Sequence, residues 1–194
     1  GIVIAPIGGL IVGLLLTGLI ITIFANRKPA PVNKTFGRLQ IISSAWFALT
    51  HGANDGQKTM GIIALILFST GMIPELDIPL WVIFAAAAAM GLGTFFGGYK
   101  VIKTLGVKIT KLKPYQGFAA ETGGGIMLAA FAVLGIPAST THAITGTIMG
   151  SGAARRKRAV RWKVSRQIIF SWIITIPGAA GLGIGFTYLI HLFV

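Results

Sequence analysis

Ionisable side chains are rare in this 194-residue chain, and a few of them lie inside long apolar stretches. Of the four acidic residues, Glu75 and Asp77 belong to one short loop, whereas Asp55 and Glu121 lie inside longer apolar regions. An ionisable side chain at membrane depth is costly and is a functional candidate by default. Asp55 and Glu121 are therefore the first candidates for holding a cation.

Asp55 lies in a polar stretch, Thr50–Lys58, that interrupts the apolar region Leu39–Ile73. Each side of the interruption has roughly fifteen residues, or about 22 Å of helix, so the region predicts one broken helix or two half-helices. The carbonyl end of such a break suits a cation and the N–H end suits an anion. Asn54 or Asp55 can cap the second half-helix, and the alternative to a functional role is that Asp55 is only an N-cap paired with Lys58.

A second interruption combines a proline with three hydroxyl side chains. Pro137 suits the first turn of a helix, and Ser139, Thr140 and Thr141 follow it among the free N–H groups of that turn. A helix N-terminus lined with hydroxyls is a ready site for phosphate or sulfate. Capping and back-bonding to the helix explain the same residues without a ligand. His142 is expected to form a hydrogen bond within the bundle.

Glu121 is the third polar feature inside an apolar region, and a glycine-rich run, Thr122–Gly125, follows it. Its carboxylate could hold a cation or carry a proton, and the glycines would let an ion or another backbone approach. A Glu that only forms hydrogen bonds between helices remains the alternative.

The composition predicts the elements that carry these residues. Hydrophobic residues make up 54% of the chain and charged residues 11%, where a soluble domain has about a quarter charged. Most of the seventeen Lys and Arg fall in three short clusters, Asn26–Arg38, Lys100–Lys113 and Arg155–Arg166. This pattern is typical of cytoplasmic loops of a membrane protein and argues against nucleic acid binding, despite a net charge of +13. The chain has no Cys, which excludes a thiolate metal site.

An all-α integral membrane fold follows, a helical bundle with broken or re-entrant helices. The predicted elements are the span Gly1–Ala25, the broken region Leu39–Ile73, the span Leu80–Tyr99, a hairpin over Pro114–Gly152 folded near Gly135–Pro137, and a last span Gln167–Val194 containing Pro177. Placing all three basic segments in the cytoplasm requires the hairpin to enter the membrane and return to the same side. The opening on an apolar run without Met suggests a fragment or a trimmed chain.

Three segments together resemble the inorganic phosphate transporters of the Pit family. The run from His51 to Gly61 resembles the Gly-x-Asn-Asp motif of that family, with a continuation similar to the second repeat of bacterial members. Pro137–His142 is similar to the Pro-x-Ser-Thr-Thr-His motif, and Gly117–Thr122 to the segment with an intramembrane glutamate. The basic Ala159–Trp162 is also similar to the last basic loop of the family.

The resemblance implies a secondary transporter that imports phosphate with H⁺ or Na⁺ by alternating access, and no enzyme activity or cofactor. It assigns phosphate to Asn54, Asp55, Ser139, Thr140 and Thr141, and the coupling cation to Asp55, Glu121 and Asn54. If the cation is Na⁺, Asp55 and Glu121 are its ligands. His51, Gln57, Lys58 and His142 are secondary candidates. Gly-Gln-Lys follows Asp55 in place of the common Val-x-Asn, so Gln57 or Lys58 would replace the second Asn.

Each motif occurs once here, whereas the family normally has two copies. The resemblance therefore implies that residues 1–194 are one transmembrane repeat, the second of two inverted repeats. The partners it implies are phosphate, the bilayer of the plasma or inner membrane, the missing first repeat or a second copy of the chain, and an oligomer.

Two other classes of function remain open from the residues. A membrane enzyme acting on phosphate esters would use His51, Asp55 and His142 as metal ligands, although their spacing disfavours it. A structural or regulatory membrane subunit would bind no phosphate at all. The sequence does not distinguish H⁺ from Na⁺, or free phosphate from a metal–phosphate complex or sulfate.

Overall fold

The computed structural model describes residues 1–193, which are almost entirely helical, as the sequence predicts. They form six α-helices: α1 (Ile4–Ile23), α2 (Pro29–Ser69), α3 (Leu80–Lys103), α4 (Pro114–Val133), α5 (Thr140–Arg155) and α6 (Trp162–Phe193). A π-helical turn, Thr104–Ile109, follows α3, and a short 3₁₀ turn, Lys157–Ala159, follows α5. Three segments among the described residues are long and apolar enough to cross a membrane: Ile4–Ile23, Leu80–Ile109 and Trp162–His191.

The chain divides into two compact units, Gly1–Val160 and Arg161–Val194. The first contains α1 to α5 and all the candidate residues. The second contains α6, a helix of 32 residues whose apolar side chains are largely exposed, as expected of a surface that faces lipid. Pro177 lies inside α6, and the helix continues through it.

Within the first unit, the helices pair in two parallel sets. Along α2 and α4, Gln40 lies beside Gly117, and further on Asn54 contacts Leu128. Along α1 and α5, glycines on both helices let the backbones touch, and a Cβ added to Gly146 would overlap the Pro6 carbonyl. Small residues commonly permit such close approach between membrane helices.

The predicted hairpin is confirmed. Helices α4 and α5 run in opposite directions around a turn in which Gly135 has a φ of 64°, a left-handed conformation that glycine adopts without strain. The position of Pro137 differs from the prediction, because α5 begins at Thr140 and its N-cap is Ser139. Pro137 therefore lies in the connecting turn and not in the first helical turn.

The predicted break in the second apolar region is wrong. Helix α2 is continuous for 41 residues, which is about 60 Å, and passes through Thr50–Lys58 without interruption. The polar side chains of that stretch find partners on α4, on the hairpin and within their own helix, so the helix has no need to release backbone groups to satisfy them. Neither Asn54 nor Asp55 is a helix cap.

Helical structure also extends into the predicted basic loops. Lys34 and Arg38 lie on α2, Lys103 ends α3, and Lys163 and Arg166 lie on the first turns of α6. Lys and Arg are good helix formers, so a cluster of them does not end a helix in the way that Gly or Pro does.

The tip of the hairpin lies beside α2, about two-thirds of the way along that helix. Thr140, the first residue of α5, contacts Asp55, and α2 continues beyond that point for about 20 Å, to Ser69. The hairpin therefore ends part-way along α2, which is the relation that the prediction of a re-entrant hairpin requires.

Candidate functional site

The Asp55 carboxylate is the centre of a polar cluster that joins α2 to the tip of the hairpin. Its Oδ2 accepts a hydrogen bond from the Thr140 hydroxyl at 3.0 Å and lies 3.1 Å from His51 Nε2. Its Oδ1 accepts from Lys58 Nζ at 3.0 Å. The bond to Thr140 connects residues that are 85 positions apart. The two sequence motifs therefore meet in space at this carboxylate.

Lys58 connects the same two elements a second time. Its ammonium group donates to the Ala138 carbonyl at 2.5 Å, while it also forms the ion pair with Asp55. The pair is partly exposed, with about a third of each side chain accessible (38% for Lys58 and 31% for Asp55). Lys58 therefore holds the hairpin tip and offsets the charge of Asp55 at once.

The hydroxyl side chains at the start of α5 differ in their surroundings. Ser139 is the N-cap, and its Oγ accepts a bond from the His142 backbone N–H at 3.4 Å. Thr140 is buried and its hydroxyl is used by Asp55, whereas Thr141 is exposed. His142 is buried, and its ring donates a hydrogen bond to the backbone of Ile2. Ser139 therefore caps the N-terminus of α5, and the Thr141 side chain there is exposed.

Asn54 and Gln57 lie next to the cluster in different ways. Asn54 is buried and its Nδ2 donates to the Leu128 carbonyl at 3.1 Å, which ties α2 to α4. Gln57 is exposed. Both line a cleft of about 210 Å³ between α2 and the hairpin turn, together with Lys58 and Pro137.

Glu121 lies in a second cluster with residues that the sequence analysis did not single out. Its Oε2 accepts a bond from the Ser43 hydroxyl at 2.6 Å, and its Oε1 accepts from Gln40 Nε2 at 3.2 Å. The spacing of Gln40 and Ser43, one turn apart on an apolar helix, is the signal that could have found them. Glu121 also lines a cavity of about 330 Å³ between α2, α4, α5 and the segment after α3.

The two carboxylates are not brought together. Ser43, the partner of Glu121, lies twelve residues before Asp55 on α2, a separation of about 18 Å along the helix. Asn54 and Asp55 share one cluster and Glu121 belongs to another. A single cation could not be held by all three of these predicted residues in this arrangement.

The metal site that an enzyme would need does not form among the residues the structure describes. His51 and Asp55 are in contact, but within residues 1–193 no group of three His, Asp or Glu side chains could hold a metal ion. Hydroxyls and a lysine at a helix N-terminus are donors of the kind that bind an oxyanion, and in this arrangement Lys58 and Thr140 donate to the Asp55 carboxylate.

Known proteins are similar to this chain in sequence and in fold. Residues 1–183 match the family described as "Phosphate transporter family". A probable low-affinity inorganic phosphate transporter of Rhizobium meliloti (strain 1021) is 51% identical over 180 residues, covering 92% of this chain and 54% of that protein. One with the same description from Bacillus subtilis (strain 168) is 40% identical over 183 residues, covering 94% of this chain and 55% of the other.

A solved structure, described as the sodium-dependent phosphate transporter, is also similar. It matches with a TM-score of 0.76 and 26% identity over the whole of this chain and 57% of its own. The chain spans about half the length of the curated relatives it matches.

Proposed function

The chain belongs to the phosphate transporter family, and from that premise we propose that it forms half of a secondary transporter for inorganic phosphate. It is an all-α, multi-pass membrane protein, and the family is one of transporters, so we do not propose an enzyme. Import would be coupled to H⁺ or Na⁺ and would proceed by alternating access in the plasma or inner membrane, with the basic segments in the cytoplasm.

The hydrogen bond between Thr140 and Asp55 is the observation that carries this proposal. It connects α2 with the N-terminus of α5, so that a helix dipole, hydroxyls and an ion pair share one location. Transporters built on inverted repeats use such helix ends to bind anionic substrates near the middle of the bilayer.

Phosphate would bind where α5 begins. The free N–H groups of the first turn and the hydroxyls of Ser139, Thr140 and Thr141 would donate to its oxygens. Lys58 could turn from Asp55 towards the anion, because its side chain is partly exposed and already reaches the hairpin. Asn54 and Asp55 would hold the geometry of the site, with His51, Gln57 and His142 around it.

The coupling cation would bind at Glu121. Its two hydrogen-bond partners, Ser43 and Gln40, are neutral, whereas Asp55 is paired with Lys58. A carboxylate that no protein cation neutralises attracts a proton or Na⁺ more strongly, and a cavity beside Glu121 offers room for an ion. Asp55 would accept a cation when Lys58 moves to phosphate.

The remaining half of the site would come from a first repeat or from a second copy of this chain. One helix N-terminus with three hydroxyls offers donors to one side of a tetrahedral anion. Many apolar side chains of α1 and α2 are exposed, which leaves surface for lipid and for such a partner.

Uptake of labelled phosphate into proteoliposomes that contain the full-length transporter tests the proposal. We expect Asp55→Ala and Thr140→Ala to reduce uptake strongly, whereas Glu75→Ala and Thr22→Ala should not, because both control side chains are exposed and distant from the hairpin in sequence. Uptake that is unchanged in the first two variants would refute the site. Competition by sulfate, and uptake with and without divalent metal, would identify the transported species.

A further inference from the structure

A cationic cleft lies at the opposite end of the first unit from the hairpin tip. It has a volume of about 250 Å³ and is formed where α1 ends, α2 and α4 begin and α5 ends. Three cationic residues line it, each from a different segment of the chain: Arg27, Lys113 and Arg155. Tyr115 adds a hydroxyl group, and a neighbouring cleft adds Lys28 beside Arg27.

The positive charge of this cleft has no acidic partner. The chain has four acidic residues, and none of them lines the cleft. Within residues 1–193, the ion pair between a lysine and a carboxylate is that of Lys58 with Asp55, and neither residue lines the cleft. Three cations that share one small cleft repel each other and raise the free energy of the empty site, so a bound anion would stabilise this end of the unit.

The helix ends at the cleft do not neutralise this positive charge. The N-termini of α2 and α4 carry partial positive charge, and the C-termini of α1 and α5 carry partial negative charge. With two ends of each kind, the dipoles roughly offset each other. The side chains therefore determine the sign of the potential, which is positive.

The wall of the cleft is apolar beneath the cations. Ile20, Ile21 and Phe24 come from the last turns of α1, and Val32 comes from the first turn of α2. Helix α1 is a membrane-length apolar helix, so this wall continues into a surface that faces hydrocarbon. An ion as small and polar as free phosphate gains nothing from such a wall, whereas an acyl chain does.

We propose that this cleft binds the phosphate headgroup of an anionic phospholipid. Arg27, Lys113 and Arg155 contact the phosphodiester, Tyr115 donates a hydrogen bond, and the acyl chains lie along the end of α1. Basic pockets between membrane helices recognise anionic headgroups in this way. The bound lipid would hold together four helix ends that no carboxylate connects. The proposal is independent of the transport function assigned to the hairpin.

Native mass spectrometry of the full-length protein, titrated with phosphatidylglycerol or phosphatidylcholine, tests it. We expect the protein to retain phosphatidylglycerol preferentially. The triple variant R27Q/K113Q/R155Q should weaken that binding by about tenfold or more, since each cation near an anionic headgroup contributes to affinity. A matched triple, K103Q/K108Q/R158Q, removes the same charge from exposed positions outside the cleft and should change binding by less than about twofold.

Two results would overturn the proposal. Equal losses in both triple variants would mean that net charge, and not the cleft, attracts the lipid. Displacement of phosphatidylglycerol by millimolar inorganic phosphate would mean that the cleft takes the free ion. If the triple variant does not fold, the single variant Arg155→Gln, at the exposed end of α5, serves in its place, with an expected loss of about threefold and no loss in Arg158→Gln.

Discussion

Two polar clusters lie along α2, about 18 Å apart, and they hold their carboxylates in different ways. At Asp55, a lysine on the same helix neutralises the charge, and a threonine from the hairpin completes the contact. At Glu121, a serine and a glutamine donate hydrogen bonds, and no cation of the described chain pairs with the carboxylate. In the first cluster the carboxylate is paired with a lysine, and the cluster joins the hairpin tip to α2. In the second, a carboxyl group without a cationic partner lies beside a cavity.

This difference between the two clusters favours separate roles for them in the proposed half-site. A balanced cluster can exchange its internal lysine contact for an anionic substrate, because the lysine already reaches both elements. An unbalanced carboxylate needs an external cation to be stable in a low-dielectric environment. Substrate and coupling ion would then be held at separate levels of the same helix pair.

The largest expected effect comes from neutralising Glu121. Glu121→Gln keeps the shape of the side chain but removes the charge that attracts the cation, so we expect uptake to fall by about 100-fold or more and to lose its dependence on Na⁺ or pH. Asp55→Asn should instead raise the half-saturating phosphate concentration and keep the cation dependence. Uptake in proteoliposomes across a series of cation gradients measures both. Identical profiles for the two variants would contradict the separate roles of Asp55 and Glu121.

Removing the hydroxyl that joins the hairpin to α2 should have the next largest effect. Thr140→Val preserves volume but removes the 3.0 Å bond to Asp55, and a hydrogen bond to a charged group contributes about 1.5–3 kcal/mol. We expect the half-saturating phosphate concentration to rise by about tenfold or more, with an unchanged cation dependence. Thr22→Val is the matched control, because that hydroxyl bonds only to the Gly18 carbonyl of its own helix. A change in cation dependence would contradict the separation of the two sites.

A smaller effect is expected from the serine that orients Glu121. Ser43→Ala removes a 2.6 Å bond but leaves the bond from Gln40, so we expect maximal uptake to fall by about fivefold, or about 1 kcal/mol, with phosphate affinity unchanged. The neighbouring Ser44→Ala should have no effect, because that side chain is exposed and bonds to the Ile41 carbonyl of its own helix. Rate measurements at saturating phosphate distinguish the two variants. A shift in phosphate affinity in Ser43→Ala would count against the assignment.

The smallest effect should follow from a methyl group added beside Gln40. A Cβ at position 117 would overlap the Gln40 side chain, which is flexible and can move away, so Gly117→Ala should cost Glu121 only its 3.2 Å bond. We expect a decrease in uptake of about twofold to threefold. A Cβ added at position 52 would have no neighbour within 4 Å, so Gly52→Ala controls for the higher helix propensity of Ala. Equal uptake in both variants would show that Gln40 does not orient Glu121.

Much of the fold could be predicted from the sequence because the bilayer constrains it so strongly. Uncharged runs of membrane length identified α1, α3 and α6, and the glycine and proline near position 135 identified the hairpin. The pairing of the Asn-Asp and Ser-Thr-Thr-His segments followed from the resemblance and is consistent with the contact between Asp55 and Thr140.

The failure at Thr50–Lys58 has a specific physical cause. Two glycines and several polar residues at membrane depth indicate a break when the helix is considered alone. Within the bundle, Leu128 and Thr140 supply partners to Asn54 and Asp55, and the helix remains intact. The partners of Glu121 were missed for the same reason, because Gln40 and Ser43 are about 80 residues away in the chain and come close only when the helices pack.

Hydropathy and charge act locally along the chain, so the class of the protein, its apolar helices and the residue types available for chemistry follow from the sequence alone. Which of those residues meet depends on how the helices pack. This packing joined Asp55 to the hairpin, separated Glu121 from it by several helical turns, and gathered three cations at the far end of the unit. The physical reason is that buried polar groups must find partners, and in a bundle those partners come from the neighbouring helices and not from the adjoining residues.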